Sequence, residues 1–122
     1  MRFCFTFRPR FSSAVKAAFL DRDGVINVDY AYVHSRENFH FIPGALEGAA
    51  ELVRKGHQLI IVTNQSGIGR GKYSIDQFRE LTFWLAGVFA RNHAPLSAVY
   101  FCPHHPTHAF APYLKDLSLI HI

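Results

Sequence analysis

Two carboxylates one residue apart, Asp21 and Asp23, end a short apolar run and are followed at once by Gly24. Alternate side chains of a strand point to opposite faces. Beyond the strand end a tight turn can aim both acids at one spot, and Gly24 gives the backbone freedom for that turn. Open α/β sheets bind ligands in the crevice outside the carboxyl ends of their strands. Two acids there suit three tasks: holding a hard cation such as Mg²⁺, attacking as a nucleophile and moving a proton. A solvated turn would use the same residue types, because Asp and Gly are common in turns.

A second apolar run ends in Thr63-Asn64-Gln65-Ser66-Gly67. A hydroxyl and backbone N–H groups beside two acids suit a phosphate oxygen once a divalent cation has reversed the local charge. In such a site Asp21 would attack phosphorus in line and become an aspartyl-phosphate. Asp23 would protonate the leaving alkoxide, then take a proton from the hydrolytic water.

The elements that must position these groups follow from periodicity. Residues 16–20 read as a short apolar strand. Residues 25–34 alternate loosely and predict a small hairpin or flap over its end. Pro43-Gly44 opens a helix over 45–55, whose Ala45, Leu46, Ala49, Leu52 and Val53 share one face. Gly56 stops it. The continuous Leu59-Ile60-Ile61-Val62 run predicts a parallel strand over 57–62, buried on both faces. Strand, helix and strand make a right-handed βαβ unit, so the two strand ends emerge side by side. Gly67, Gly69 and Gly71 with Arg70 and Lys72 predict a mobile basic rim. Ser74 and Gln77 form a capping-box signature for a helix fading near Asn92. Its inward face is Phe78, Leu81, Leu85, Val88 and Phe89, with Trp84 in or near the core. A third strand over 97–101 runs into Cys102-Pro103-His104-His105-Pro106.

Composition sets the bounds. With 122 residues, 49% hydrophobic and 15% aromatic, the chain makes one small packed domain or part of one. A net charge of +4 fits an anionic ligand. No basic run suggests nucleic acid and no apolar run is long enough to span a membrane, so neither is expected as a partner. Two cysteines make no disulfide framework and favour a reducing cytoplasmic location.

The stretches Phe19-Leu20-Asp21-Arg22-Asp23-Gly24 and Val62-Thr63-Asn64-Gln65-Ser66-Gly67 resemble the first two motifs of the haloacid dehalogenase superfamily. Tyr32-Val33-His34, Phe41-Ile42-Pro43-Gly44, the stretch to Gly71 and Cys102-Pro103-His104-His105-Pro106 resemble its D-glycero-D-manno-heptose 1,7-bisphosphate 7-phosphatase family. The resemblance covers about residues 17–106. It implies an α/β fold, a three-layer Rossmann-like arrangement with a parallel sheet and a minimal cap. It implies a phosphatase that removes the 7-phosphate in the pathway to activated heptose for lipopolysaccharide. Asp21 would be nucleophile and Mg²⁺ ligand, and Asp23 general acid/base, meeting the metal through its carbonyl. Asp29, Tyr30, Ala31 and Tyr32 would lie against a phosphorylated sugar, as would Thr63, Asn64, Gln65 and Ser66, with Thr63 on the phosphate. Cys102 and His104 match half of a structural Zn²⁺ site that wants four ligands. A monomer is expected for the complete protein.

The third motif of the superfamily, a lysine, and the fourth, a Gly-Asp pair with a further acid, have no match. Lys115 and Asp116 lack the surrounding pattern. The chain therefore reads as an N-terminal extension over 1–15, expected to be disordered, a partial phosphatase domain over 16–106, and a truncated tail over 107–122. Residues 117–122 resemble a translated sequencing-adapter end. The C-terminal half of the sheet would be missing, leaving the strand over 16–20 at an edge. Two rival readings follow. One is a histidinol-phosphate phosphatase or another small phosphatase of the same superfamily. The other is an inactive fragment that at best binds phosphate weakly.

Overall fold

A computed structural model describes residues 3–7 and 16–104. Its first strand, β1 (Cys4–Thr6), comes from the segment expected to be disordered. It pairs antiparallel with the last, β4 (Leu96–Cys102), with Cys4 opposite Tyr100 and Thr6 opposite Ala98. The expectation is corrected for residues 3–7 on physical grounds. Phe3, Phe5 and Phe7 all pack against the core. The Phe5 ring centre lies 5.4 Å from that of Phe101 and 6.1 Å from that of Phe78. Aromatic burial of this size offsets the entropy lost in ordering a few residues.

Between these lie β2 (Lys16–Leu20) and β3 (His57–Asn64), parallel to each other, with β3 also parallel to β4. The order is β1-β4-β3-β2. The sheet is thus mixed, its parallel part carrying one antiparallel edge. Helix α1 (Ala45–Arg54) links β2 to β3. The short α2 (Ser66–Gly69) and the long α3 (Ile75–Arg91) link β3 to β4. Right-handed crossovers that step one way along a sheet put their helices on one face. The core agrees: Leu59, Ile61, Val99 and Phe101 join the cluster with Phe78, Leu85 and Phe89, while the intervening Ile60 and Tyr100 do not. Sheet and helices are two of the three expected layers.

The helix signals hold within a residue or two. The Gln77 N–H donates to Ser74 Oγ at 3.1 Å and the Ser74 N–H to Gln77 Oε1 at 2.8 Å. Trp84 packs against the core, edge-on to Phe39 at 5.6 Å. Two loop expectations change. The segment after β2 is neither hairpin nor loose flap: Ile26, Val33 and Phe39 are buried core residues, and its regular structure is one 3₁₀ turn (Arg36–Asn38) plus isolated bridges from Asn27 to Asp23 and Phe41. The expected basic rim begins as α2, with Gly67, Ile68 and Gly69 buried.

The strand carrying the acids, β2, is an edge of the described sheet. Among the described residues no helix is long and apolar enough to cross a membrane. His105, His108, Lys115, Asp116 and residues 117–122 lie outside the described residues.

Candidate active site

The register of β2 on β3, with Leu20 opposite Ile61, brings both strands to their carboxyl ends together. The chain then turns sharply. The Arg22 carbonyl accepts from the N–H groups of Val25, Ile26 and Asn27 at 3.1, 2.8 and 3.3 Å. Gly24 takes φ +88°, a value an L side chain resists. This turn presents Asp21 to solvent, with its Oδ1 accepting from the Arg22 N–H at 2.8 Å.

Asp23 is held more firmly. Its Oδ1 accepts from Arg22 Nη2 at 2.8 Å and Asn27 Nδ2 at 3.0 Å, and its Oδ2 from Gln65 Nε2 at 3.1 Å. A carboxylate has about four acceptor sites, so little of this one is left unengaged. The Arg22 cation is buried, and Nη2 also donates to the Val33 carbonyl at 2.9 Å. Its guanidinium carbon stands 5.6 Å from the Phe39 ring centre and 5.9 Å from that of Phe78, within cation–π range. Sequence reading passed over Arg22 and Asn27. The alternation of strand side chains was the available signal: a residue between two acids that face a crevice must face the core, where a cation needs a counter-ion.

A cavity of about 330 Å³ opens at these strand ends. Of the expected residues, Asp21, Asp23, Asp29, Ala31 and Tyr32 line it from the first side, and Asn64, Gln65 and Ser66 from the second. Gly67 and Tyr73 line it too, and sequence reading had not placed them there. Thr63 lies buried behind the wall, its Oγ1 accepting from Gln65 Nε2 at 3.0 Å. Tyr30 does not line the cavity; its hydroxyl meets His40 Nδ1 at 3.3 Å. Ala31 and Tyr32 hold φ of +62° and +54°. Left-handed backbone at two successive non-glycine residues is costly and typical of functional loops. Burial pushes the Tyr73 phenol well above its ordinary range, so it remains a neutral O–H.

Of the two acids, Asp21 faces solvent with a carboxylate oxygen open to a hard cation, while both Asp23 carboxylate oxygens are engaged by Arg22, Asn27 and Gln65. The zinc half-site gains no third ligand, since no group of three His, Cys, Asp or Glu able to hold a metal exists among the described residues. Cys102 is a buried free thiol, and His104 is buried with its ring edge-on to Phe3 at 5.3 Å.

No protein-family model matches the chain. Individual relatives do. Over 103 residues the chain is 50% identical to the D-glycero-beta-D-manno-heptose-1,7-bisphosphate 7-phosphatase of Vibrio cholerae, a match spanning 84% of this chain and 55% of that protein. It superposes with TM-score 0.72 and 32% identity on the D,D-heptose 1,7-bisphosphate phosphatase of B. bronchiseptica solved with magnesium and phosphate, covering 80% of this chain and 55% of that one. A HAD-like protein from Mesorhizobium loti gives TM-score 0.81 at 29% identity, covering 93% and 54%. The chain spans about half the length of the relatives it matches. Over that half the chain is similar in sequence and in fold to heptose-1,7-bisphosphate 7-phosphatases of the haloacid dehalogenase superfamily.

Proposed function

We propose that the protein is a Mg²⁺-dependent phosphomonoesterase that removes the 7-phosphate of D-glycero-D-manno-heptose 1,7-bisphosphate. The observation that carries this is the Gln65 amide, which bridges Asp23 on one strand end to Thr63 on the next, behind an exposed Asp21. Three oxygen-bearing side chains thereby share one end of the sheet. Asp21 attacks phosphorus and accepts the phosphoryl group. Asp23 gives a proton to the departing sugar oxygen and later takes one from water. The Thr63 hydroxyl, buried behind the cavity wall, donates to the Asn64 carbonyl at 3.5 Å and accepts from Gln65, so Thr63 serves the phosphoryl side of the site through that amide. Asp29, Ala31 and Tyr32 shape the sugar side of the cavity. When bound through Asp21 and the Asp23 carbonyl, Mg²⁺ supplies positive charge for the phosphoryl oxygens. Cys102 and His104 would supply two of the four ligands that a structural zinc takes.

A second reading has its own support, the span of about half of each relative. The third and fourth motifs of the superfamily are unmatched in the sequence, and losing even one charge-stabilising contact costs roughly 10²–10³ in rate. The 122-residue chain is therefore expected to turn over far more slowly than a full-length relative. Phosphate release is measured from heptose 1,7-bisphosphate and from histidinol phosphate, with Asp21→Asn alongside. Slow release that prefers the heptose substrate and disappears in Asp21→Asn supports the proposal. Preference for histidinol phosphate overturns the substrate, and release that survives Asp21→Asn overturns the mechanism. Turnover within about tenfold of a full-length relative would overturn the expectation that the unmatched motifs are needed for fast turnover.

A further inference from the structure

Gln65 occupies an unusual position for a residue in a cavity wall. Its side chain is buried, and each of its polar atoms is engaged within the protein. The orientation of the amide is fixed by chemistry. The Asp23 carboxyl, which also takes Arg22 Nη2 and Asn27 Nδ2 as donors at Oδ1, accepts at Oδ2 from the NH₂ end at 3.1 Å. The other amide hydrogen reaches Thr63 Oγ1 at 3.0 Å. The carbonyl end therefore faces Tyr73, whose hydroxyl donates to it. A phenol kept neutral by burial holds that hydrogen across the working pH range.

The Tyr73 ring is itself clamped. On one side is Gly67, where an added Cβ would stand 2.3 Å from Tyr73 Cε1 and 2.9 Å from Tyr32 Cδ1. On the other the His34 ring stacks at 5.1 Å between centres, 9° from parallel. His34 Nδ1 in turn lies 2.8 Å from the Tyr32 carbonyl. A rigid ring thus sits at the junction of the segment after β2 and the segment after α2, with its hydroxyl directed at the one amide that touches both strand ends.

We propose that Tyr73 is a positioning residue: acting through Gln65, it fixes the direction of the Asp23 carboxylate relative to Thr63. The chemical task given to Asp23 rests on the phosphatase reading, while the positioning itself does not. Without the Tyr73 hydroxyl the Gln65 carbonyl loses its partner. The amide can then rotate, and Asp23 Oδ2 loses a fixed donor.

The test uses the whole chain with ¹³C-labelled aspartate and ¹⁵N-labelled glutamine. Tyr73→Phe keeps the ring between Gly67 and His34 and removes only the hydroxyl. Expected are a displaced Asp23 carboxylate resonance and Gln65 side-chain hydrogens that exchange at least about tenfold faster, as for a lost buried hydrogen bond. In a Gln65→Leu background Tyr73→Phe should leave the Asp23 resonance where it is, because the link is already cut. Gln65→Asn withdraws the amide by one methylene without touching the ring and should give the same Asp23 signature. An Asp23 resonance unmoved by Tyr73→Phe, or moved equally in both backgrounds, overturns the proposal. Turnover plays no part in these readouts, so a failed phosphatase assay and a failed positioning test are distinguishable.

Discussion

Phe19 and Ile60 stand side by side, paired in register on neighbouring strands, yet Phe19 is 53% exposed and Ile60 only 4%. The contrast extends to the acids and hydroxyl that follow them. β2 leads to Asp21, a solvent-facing carboxylate on an edge strand. β3 leads to Thr63 and Gln65, buried and tied to Asp23 and Tyr73. The group proposed to attack thus follows an exposed edge strand, and the groups that orient its partner sit at the end of an interior one. The acid turn is anchored from below, by Arg22, more than from its sheet neighbours.

Substitutions can break or sharpen this contrast. Arg22→Ala has the largest expected effect. It removes the counter-ion of Asp23 and the cation between Phe39 and Phe78, and breaking a buried pair costs about 3–5 kcal/mol. Urea unfolding measures it, and a loss below about 1 kcal/mol would mean that Arg22 does not anchor the turn. Gly67→Ala comes next. Its methyl group collides with Tyr73 and Tyr32, an overpacking cost of about 1–3 kcal/mol, with the Tyr73 ring displaced from His34. Thermal unfolding and the His34 ring resonances report it; an unchanged melting point and unchanged resonances would count against the clamp. Phe19→Lys should fall within about 0.5 kcal/mol of the parent, as exposed substitutions do. Ile60→Ala beside it should cost about 2–5 kcal/mol. Equal losses at the two positions would erase the distinction between edge and centre.

Much of this was legible from the chain alone. The capping box at Ser74 and Gln77 is local, written in two residues, and appears where expected. The apolar run through Leu59 to Val62 announced a buried parallel strand, which extends two residues further to Asn64. Eight of the ten sugar- and acid-side residues expected at the strand ends line one cavity. What was missed depends on neighbours distant in sequence. Phe3, Phe5 and Phe7 alternate at strand period, but among arginines and without a visible partner they read as an extension; β4 supplies the partner. Three glycines suggested mobility at 67–71, whereas Gly67 is small because two tyrosine rings approach it. Ala31 and Tyr32 gave no hint of left-handed backbone, which belongs to Asn, Asp and Gly by habit.

The exposed flank of β2 has a consequence for the molecule in solution. Among the described residues β2 has no partner on its outer side, and an edge strand of this kind is a template on which another chain can add. Concentrated samples should therefore show rising light scatter that dilution reverses. Any segment docking on that flank would stiffen the peptide leading into Asp21 and so alter how far its carboxylate reaches into the crevice, without entering the cavity.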